Sequence, residues 1–285
     1  MAKDSGPIHI DIAQVLAARL GFWSRLVPGF AVRRLERTIC QDRLNELLEH
    51  NYPREGADFC EGVLSDLDVN FDIVGAENLP PVSHRRVLIV SNHPLGGLDG
   101  MALIAWATRR YGCRVRFIVN DLLMAVTPLR TVFLPINKHG AQSRDAIRAI
   151  DEAMGSDEPL LMFPAGLCSR QKTAGAEVED LEWKKMFVNK AIESRRDIVP
   201  LYFDGRNSDR FYRAARRRER CGLKFNIEMI LLPSEVFRAS GSRLRAVCGP
   251  LIPWQSLRGG NEAAATAADV RCRVYDLKQK LQNDK

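Results

Sequence analysis

The chain has 285 residues, of which 46% are hydrophobic and 27% are charged. This length and composition fit a folded globular protein, with one large domain or one domain and an appended subdomain, and they exclude wholesale disorder. The formal net charge of +7 favours an anionic partner: nucleic acid, an anionic membrane or a phosphorylated ligand.

Cysteine usage and hydropathy indicate the cellular compartment that the protein occupies. Seven cysteines are scattered without a close pair, so we predict no metal site and no disulfide framework, and reduced thiols in a cytosolic protein are the simplest account. We expect no signal peptide, and no uncharged apolar run reaches the length needed to span a bilayer. The sequence therefore predicts a protein that is soluble or lies on a membrane surface.

Residues 1–68 are predicted to form a helical, membrane-associating segment. Apolar residues, Trp23 among them, recur at helical spacing over residues 12–30, and arginines lie between and after them, which is typical of an interfacial helix. An ordinary helix packed on its own domain explains this pattern about equally well. Pro28 and Gly29 should break the helix, and a second helical stretch covers residues 35–50.

From residue 69 onward, strand-like and helix-like segments alternate. Residues 69–75 alternate apolar and polar side chains, as a half-buried edge strand does. The further predicted strands are 87–90, 114–119, 133–136, 159–163, 198–203, 225–232 and 244–247, and the predicted helices are 101–111, 141–154, 181–194 and 262–281. This alternation predicts an α/β domain over residues 69–285, with a mostly parallel central sheet and helices on both faces.

The stretch over residues 87–100, VLIVSNHPLGGLDG, holds the strongest candidate site. An apolar run typical of a buried strand ends in Ser-Asn-His, and a Pro-x-Gly-Gly turn leads to Asp99 at the start of a predicted helix. His93 would then lie at the carboxyl end of a strand, where open α/β sheets collect their ligands. Gly96 and Gly97 permit positive φ, so the turn can bring the imidazole and the carboxylate together.

Such a pair has a specific chemistry. A neutral imidazole can take a proton from a hydroxyl, while the carboxylate fixes its tautomer and stabilises the imidazolium that forms. The plainer alternative is a satisfied loop histidine beside an aspartate that only caps a helix. The position of His93 after a buried strand, next to Asn92 and two glycines, favours the catalytic interpretation.

Three further loops follow predicted strands and carry polar residues: 136–140, 163–170 and 203–208. In a parallel sheet they would open on the same edge as His93. Each one alone is more simply a surface loop, but four polar loops after successive strands are harder to dismiss. Lys138 is a candidate phosphate contact, and Ser169 and Arg170 could hold an anionic or carbonyl oxygen.

Residues 210–220 form the densest basic run of the chain. A solvated helix face is the default interpretation, and contact with anionic lipid headgroups is the functional one that we favour. No recognised nucleic-acid motif accompanies the run, so we expect no nucleic-acid partner.

Together, the motifs resemble the lysophospholipid (glycerolipid) acyltransferase superfamily over about residues 69–253. Asn92, His93 and Asp99 resemble its Asn-His-x4-Asp hallmark with one extra residue. Residues 74–80 resemble the Gly-x-Glu-Asn-Leu-Pro lead-in, 133–138 lie where the second block is expected, 163–166 resemble Phe-Pro-Glu-Gly, and 198–202 resemble the fourth block. Ala165 replaces the usual glutamate, and Arg170 comes two places late.

The variant pattern is similar to a bacterial branch labelled hemolysin-like, which is linked to O-acylation of amino-acid lipids such as lyso-ornithine or lyso-glycine lipids. The resemblance implies an acyltransferase that moves an acyl group from an acyl carrier protein or coenzyme A thioester to a lysolipid hydroxyl. It implies no other cofactor, and a peripheral position on the cytoplasmic face of the inner membrane, where the surface is anionic. The alternatives are a 1-acylglycerol-3-phosphate acyltransferase, a thioesterase and a non-catalytic membrane protein on the same scaffold.

In this interpretation His93 is the general base and Asp99 orients it. Backbone N–H groups of the glycine turn, or Ser169, would hold the thioester oxyanion. Cys168 is a tempting nucleophile, but nothing in the sequence lowers its thiol pKa, so we expect it to be inert. The candidate substrate-binding residues are Asn92, Gly96, Gly97, Lys138, Ser169, Arg170, Arg206 and Asn207.

Overall fold

The computed structural model describes residues 6–21, 27–136, 144–223 and 226–282. The helices are α1 (Ile12–Leu20), α2 (Gly29–Ile39), α3 (Gln41–His50), α4 (Gly56–Asp66), α5 (Leu98–Tyr111), α6 (Arg144–Gly155), α7 (Met186–Ser194), α8 (Asp209–Arg220), α9 (Leu232–Arg238), α10 (Ala263–Asp276) and α11 (Lys278–Gln282). The strands are β1 (Asn70–Val74), β2 (Val87–Ser91), β3 (Arg116–Asn120), β4 (Phe133–Ile136), β5 (Leu160–Met162), β6 (Arg170–Gln171), β7 (Val178–Glu179), β8 (Asp197–Asp204) and β9 (Arg243–Cys248).

Within these described ranges, seven strands form one sheet in the order β1-β9-β8-β2-β5-β3-β4. Neighbouring strands from β8 to β4 run parallel, β1 and β9 pair parallel with each other, and the pair β8–β9 is the one antiparallel junction of this sheet within the described residues. All five residues of β2 are buried, as expected for a central strand that is covered on both faces. The predicted mostly parallel sheet is confirmed, and β1 is the edge strand that the alternating pattern indicated.

Helices cover both faces of the sheet because alternate side chains of each strand point to opposite sides. Val87 and Ile89 of β2 face a core that contains buried residues of α4 and α5. Leu88 and Val90 face a second core with α6, α7 and α10. The predicted boundary at residue 68 stays a prediction, although α4, which precedes it, packs directly on α5.

The N-terminal segment contains more breaks than its sequence pattern indicated. The predicted second helix is two helices, because Cys40 between α2 and α3 adopts a left-handed conformation with φ 54°. The first predicted helix ends with α1 at Leu20 and resumes with α2 at Gly29, and Trp23 lies outside the described residues. No helix in the described ranges combines the length and apolar content needed to cross a bilayer.

The predicted strand over residues 225–232 is wrong. Ile227–Leu231 form a 3₁₀ helix, and α9 follows it directly. The physical reason is Glu228, whose fully buried side chain lies between two guanidinium groups, 2.7 Å from Arg170 and 3.0 Å from Arg218. The local sequence pattern does not show the pairing with Arg170, which is distant in the chain, and it therefore predicted a strand.

Candidate active site

The sheet topology brings three of the four predicted loops together. In the order β8-β2-β5, Val90 pairs with Pro200 on one side and Met162 on the other, so the three strands end at one edge. The loops after them are 92–97, 163–169 and 205–208. The fourth loop follows β4 and lies outside the described residues, together with Lys138.

His93 and Asp99 form the predicted pair. Nδ1 of the imidazole lies 2.9 Å from Oδ2 of Asp99, and the His93 side chain is 15% exposed whereas that of Asp99 is fully buried. Among the described residues nothing hydrogen-bonds to Nε2, and this nitrogen is not among the buried polar atoms without a partner. The carboxylate therefore fixes Nδ1 as the donor, which leaves Nε2 as the basic nitrogen at the surface.

The glycine turn wraps around the Asp99 carboxylate. Oδ2 also accepts a hydrogen bond from Leu95 N–H at 2.9 Å, and Oδ1 accepts from Gly97 at 3.1 Å and Gly100 at 2.9 Å. Burial by itself raises the pKa of this carboxyl, but the imidazole and the backbone donors outweigh it, so the pKa lies below its ordinary value. Asp99 is an ionised, fully satisfied anchor in the first turn of α5 rather than a helix cap.

Only one of the two glycines in this turn has the predicted conformation. Gly96 has φ +76°, and a Cβ there would lie 2.7 Å from a methyl of Leu232 and 2.9 Å from Sγ of Cys168. Gly97 has φ −179°, so of the two glycines that permit positive φ only Gly96 adopts it. Because the Leu95, Gly97 and Gly100 N–H groups are bound to Asp99, those three donors do not face a thioester oxygen.

The 163–169 loop fixes the orientation of the His93 ring. Phe163 stacks on the imidazole with ring centroids 4.0 Å apart and planes inclined by 19°, and Phe117 packs edge-on against Phe163. These contacts restrict rotation of the imidazole about its Cβ–Cγ bond, so the direction in which Nε2 points is defined by packing as well as by Asp99.

Asp180 is the functional residue that the sequence did not reveal. Its Oδ1 accepts from the backbone N–H of His93 at 3.1 Å and from the Ser169 hydroxyl at 2.5 Å, and its Oδ2 accepts from the Trp183 indole at 2.8 Å. Ser169 N–H in turn donates to the His93 carbonyl at 2.7 Å, so both polar groups of the His93 backbone are tied to this network. Burial raises the pKa of Asp180. No local motif marks the residue, which follows His93 by 87 positions.

Two asparagines join the loops rather than facing a substrate. Asn92 bridges β2 to β8, because its amide donates to the Phe203 carbonyl at 2.9 Å and accepts from Phe203 N–H at 2.7 Å. Asn207 is buried and donates to the Pro94 carbonyl at 3.1 Å, which ties the 205–208 loop to the residue after His93. Both residues were predicted to bind substrate, and the structure places both in internal contacts.

Of the remaining residues that were predicted to contact substrate, Ser169 and Arg170 are buried and Arg206 is exposed. Ser169 is buried and uses both its hydroxyl and its N–H within the Asp180 network, so neither is available as an oxyanion donor. Arg170 is also buried, pairing with Glu228 and donating to the Cys168 carbonyl at 2.6 Å. The structure therefore places Arg170 in an internal ion pair rather than on a substrate-facing surface. Arg206 is exposed and pairs with Asp209.

Cys168 behaves as the sequence indicated. Its side chain is fully buried, and burial raises the pKa of the thiol above its ordinary value. Sγ lies 3.7 Å from the Pro94 carbonyl and 3.5 Å from the Asn207 amide, so it packs among the loops as a small core group. A thiol in this setting is not a nucleophile.

Comparison with known proteins agrees with this chemistry. A family model described as "Acyltransferase" matches residues 14–284. The lyso-glycine lipid O-acyltransferase of Phocaeicola vulgatus is 42% identical over 274 residues, which are 96% of this chain and 97% of that protein. The protein of the same description from Bacteroides thetaiotaomicron is 39% identical over 274 residues, 96% of this chain and 99% of its own length.

Among solved structures, the 1-acyl-sn-glycerophosphate (LPA) acyltransferase PlsC of Thermotoga maritima aligns over 93% of this chain and 96% of its own, with 14% identity and a TM-score of 0.45. That likeness is too weak to add to what the sheet topology shows. The family match and the two relatives cover nearly the whole chain, including both residues of the His93–Asp99 pair. The chain belongs to the acyltransferase family and is an enzyme.

Proposed function

We propose that this enzyme transfers a fatty acyl group from an acyl thioester to the hydroxyl of a lysolipid with an amino-acid headgroup. The observation that carries the proposal is the His93–Asp99 pair, in which the buried carboxylate holds Nδ1 and Nε2 is left at the surface. This arrangement suits a general base acting on an alcohol.

The reaction needs no covalent acyl-enzyme. Nε2 of His93 takes the proton of the acceptor hydroxyl while the hydroxyl oxygen attacks the thioester carbonyl carbon. The tetrahedral intermediate collapses with cleavage of the C–S bond, and the imidazolium returns its proton to the departing thiolate. The products are an ester and a free thiol. The ionised Asp99 offsets the charge on the imidazolium at each stage.

Two observations favour an amino-acid lysolipid over lysophosphatidate. The two relatives are named for lyso-glycine lipid and match this chain over 96% of its length. Arg170 is buried and paired with Glu228, so its guanidinium is not available to a glycerol phosphate, and Ala165 stands where the superfamily block has a glutamate. We take a lyso-glycine lipid as the first acceptor to test and a lyso-ornithine lipid as the second.

The net charge of the chain and the cytoplasmic origin of acyl thioesters support the proposed acyl donor and the proposed membrane face. Acyl carrier protein and coenzyme A are both anionic, and the chain carries a net charge of +7. Both thioesters are cytoplasmic, so we place the enzyme at the cytoplasmic face of the membrane as a peripheral protein.

The direct test supplies the purified full-length protein with a labelled acyl thioester of each carrier and one acceptor at a time: lyso-glycine lipid, lyso-ornithine lipid or lysophosphatidate. We expect a labelled diacyl amino-acid lipid, and no product with His93→Ala. Labelled free fatty acid alone would identify a thioesterase. Acylation of lysophosphatidate alone would contradict the proposed acceptor, and no reaction with any acceptor would leave a non-catalytic membrane protein.

A further inference from the structure

Helix α8 carries four arginines on one face. Arg210, Arg213, Arg217 and Arg220 follow the i, i+3, i+7, i+10 spacing that places side chains on one side of a helix, and all four are exposed. No acidic side chain of the described residues forms an ion pair with any of them. The opposite side of the helix is buried through Phe211, Tyr212 and Ala215.

The 3₁₀ helix after α8 presents large apolar side chains to solvent. In a 3₁₀ helix, residues i and i+3 lie above one another. Ile227 and Ile230 accordingly form one outward pair, with 46% and 43% of their surface exposed, whereas Glu228 and Leu231 form the inward pair, with 0% and 7% exposed. The outward pair is therefore a consistent feature of this helix and not one stray side chain.

These two elements adjoin each other and the N-terminal helices. Helix α8 contacts the 3₁₀ helix directly, and so does α2. Leu223, between α8 and the 3₁₀ helix, is 48% exposed, and Phe30 at the start of α2 is 67% exposed. We call the set Arg210, Arg213, Arg217, Arg220, Ile227 and Ile230 the arginine–isoleucine face.

The inward side of the same elements meets the catalytic loops. Glu228 pairs with Arg170 of β6, directly after the 163–169 loop, and with Arg218 of α8. Leu232, the first residue of α9 directly after the 3₁₀ helix, packs so closely on Gly96 that a Cβ there would lie 2.7 Å from its methyl group. The arginine–isoleucine face thus lies on the outer side of the layer that supports the glycine turn.

We infer that the arginine–isoleucine face docks on an anionic lipid bilayer, with the arginines at the headgroups and the isoleucines in the interface, and holds the catalytic loops where a membrane-embedded acceptor can reach them. The lipid acceptor in this inference rests on the proposed function. Clustered arginines beside half-exposed large apolar side chains match the two components of interfacial binding, electrostatic attraction and apolar burial. An acidic carrier protein would be drawn to the arginines but gives no equal account of Ile227, Ile230 and Phe30.

Vesicle sedimentation of the full-length protein tests the docking independently of catalysis. Wild type should pellet with phosphatidylcholine vesicles that contain phosphatidylglycerol, and far less with phosphatidylcholine alone or at high salt. Ile227→Ser with Ile230→Ser, and separately Arg213→Ala with Arg217→Ala, should each lower the partition coefficient about tenfold or more. Val82→Ser with Arg85→Ala is the matched control, because both residues are exposed and precede β2, at the sheet edge opposite His93.

Unchanged sedimentation of both double variants, or an equal loss in the control, would overturn the docking surface. Saturable binding of acyl carrier protein to this face without binding of vesicles would overturn it too. The acyl-transfer assay separates this failure from failure of the proposed function. Face variants should lose turnover of acceptor embedded in vesicles but keep it with a monomeric short-chain acceptor, whereas His93→Ala should lose both and still pellet with vesicles.

Discussion

Removing the Asp180 carboxylate should slow catalysis without touching any reacting atom. Asp180→Ala leaves three donors without their acceptor: the His93 N–H, the Ser169 hydroxyl and the Trp183 indole. Each unsatisfied buried donor costs about 1–3 kcal/mol, partly offset because a buried carboxylate is also removed. The main effect on function is that the His93 backbone loses its anchor, and a displacement of about 1 Å can cost roughly 10²-fold in rate.

Asp180→Asn is a finer perturbation of the same site. The amide oxygen can still accept from His93 and Ser169, but the amide nitrogen then faces the Trp183 indole, donor against donor. We expect a loss of about 1–3 kcal/mol in unfolding free energy, or about 2–4 °C in Tm for each kcal/mol. In a Trp183→Phe background, which lacks the opposing donor, Asp180→Asn should cost much less additional stability than it does in wild type.

The pH dependence of stability has a definite sign. Because burial raises the pKa of Asp180, folding favours its protonated form, and this contribution is present below the unfolded value of about 3.9 and is lost as pH rises through the folded value. Asparagine does not titrate. Urea denaturation should therefore show the stability of wild type, relative to Asp180→Asn, falling as the pH rises above about 4.

Steady-state kinetics with a labelled acyl thioester provide the decisive measurement for Asp180. A positioning residue should lower kcat by about 10²-fold with little change in KM for the acceptor. A kcat of Asp180→Ala within about threefold of wild type would show that His93 keeps its position without this network, and Asp180 would then not be a positioning residue.

Three further predictions address the other buried polar groups. Asp99→Asn should lower kcat by about 10³–10⁴-fold. The lowered pKa of Asp99 gives a stabilisation that is lost in acid, so the difference in unfolding free energy between this variant and wild type should shrink below about pH 4; equal acid sensitivity of the two proteins would contradict this. Arg196 is fully buried and donates to carbonyls that include those of Ala153, Glu158 and Ser156. In urea denaturation, Arg196→Met should lose on the order of 3–5 kcal/mol of unfolding free energy and Arg196→Lys less; equal losses in the two variants would show that the guanidinium fork is not needed. Cys168→Ser should keep turnover within about tenfold of wild type. Mass spectrometry of wild type under turnover should find no acyl-thioester on Cys168, and an acylated Cys168 would overturn the assignment of an inert thiol.

The site was predictable where its parts are close in the chain. His93 and Asp99 are separated by five residues, within one strand, turn and helix start, so the apolar run and the glycines were enough to predict the pair. The same holds for β2, whose five apolar or small residues are all buried. Cys168 was also correctly interpreted as inert, because it is a fully buried thiol whose pKa is raised by burial.

Contacts between distant segments were not predictable. Arg170 looked like an anion contact at the end of a strand, and only the fold shows Glu228, 58 positions later, closing on it. The same ion pair buries Glu228 in the 3₁₀ helix at Ile227–Leu231, where the sequence pattern predicted a strand. Asp180 meets His93 because the antiparallel pair of β6 and β7, which follows the 163–169 loop, returns the chain to the glycine turn, and no local pattern encodes this contact.

The most direct test of the account is the rate of a His93→Asn variant. The amide of the introduced asparagine can donate to Asp99 as the imidazole does, so the buried carboxylate keeps a partner, but the variant has no basic nitrogen. With labelled thioester and lyso-glycine lipid, we predict that kcat falls by about 10²–10⁴-fold while the circular dichroism spectrum and vesicle binding stay unchanged. A diacyl product formed at close to the wild-type rate would contradict the assignment of His93 as the general base.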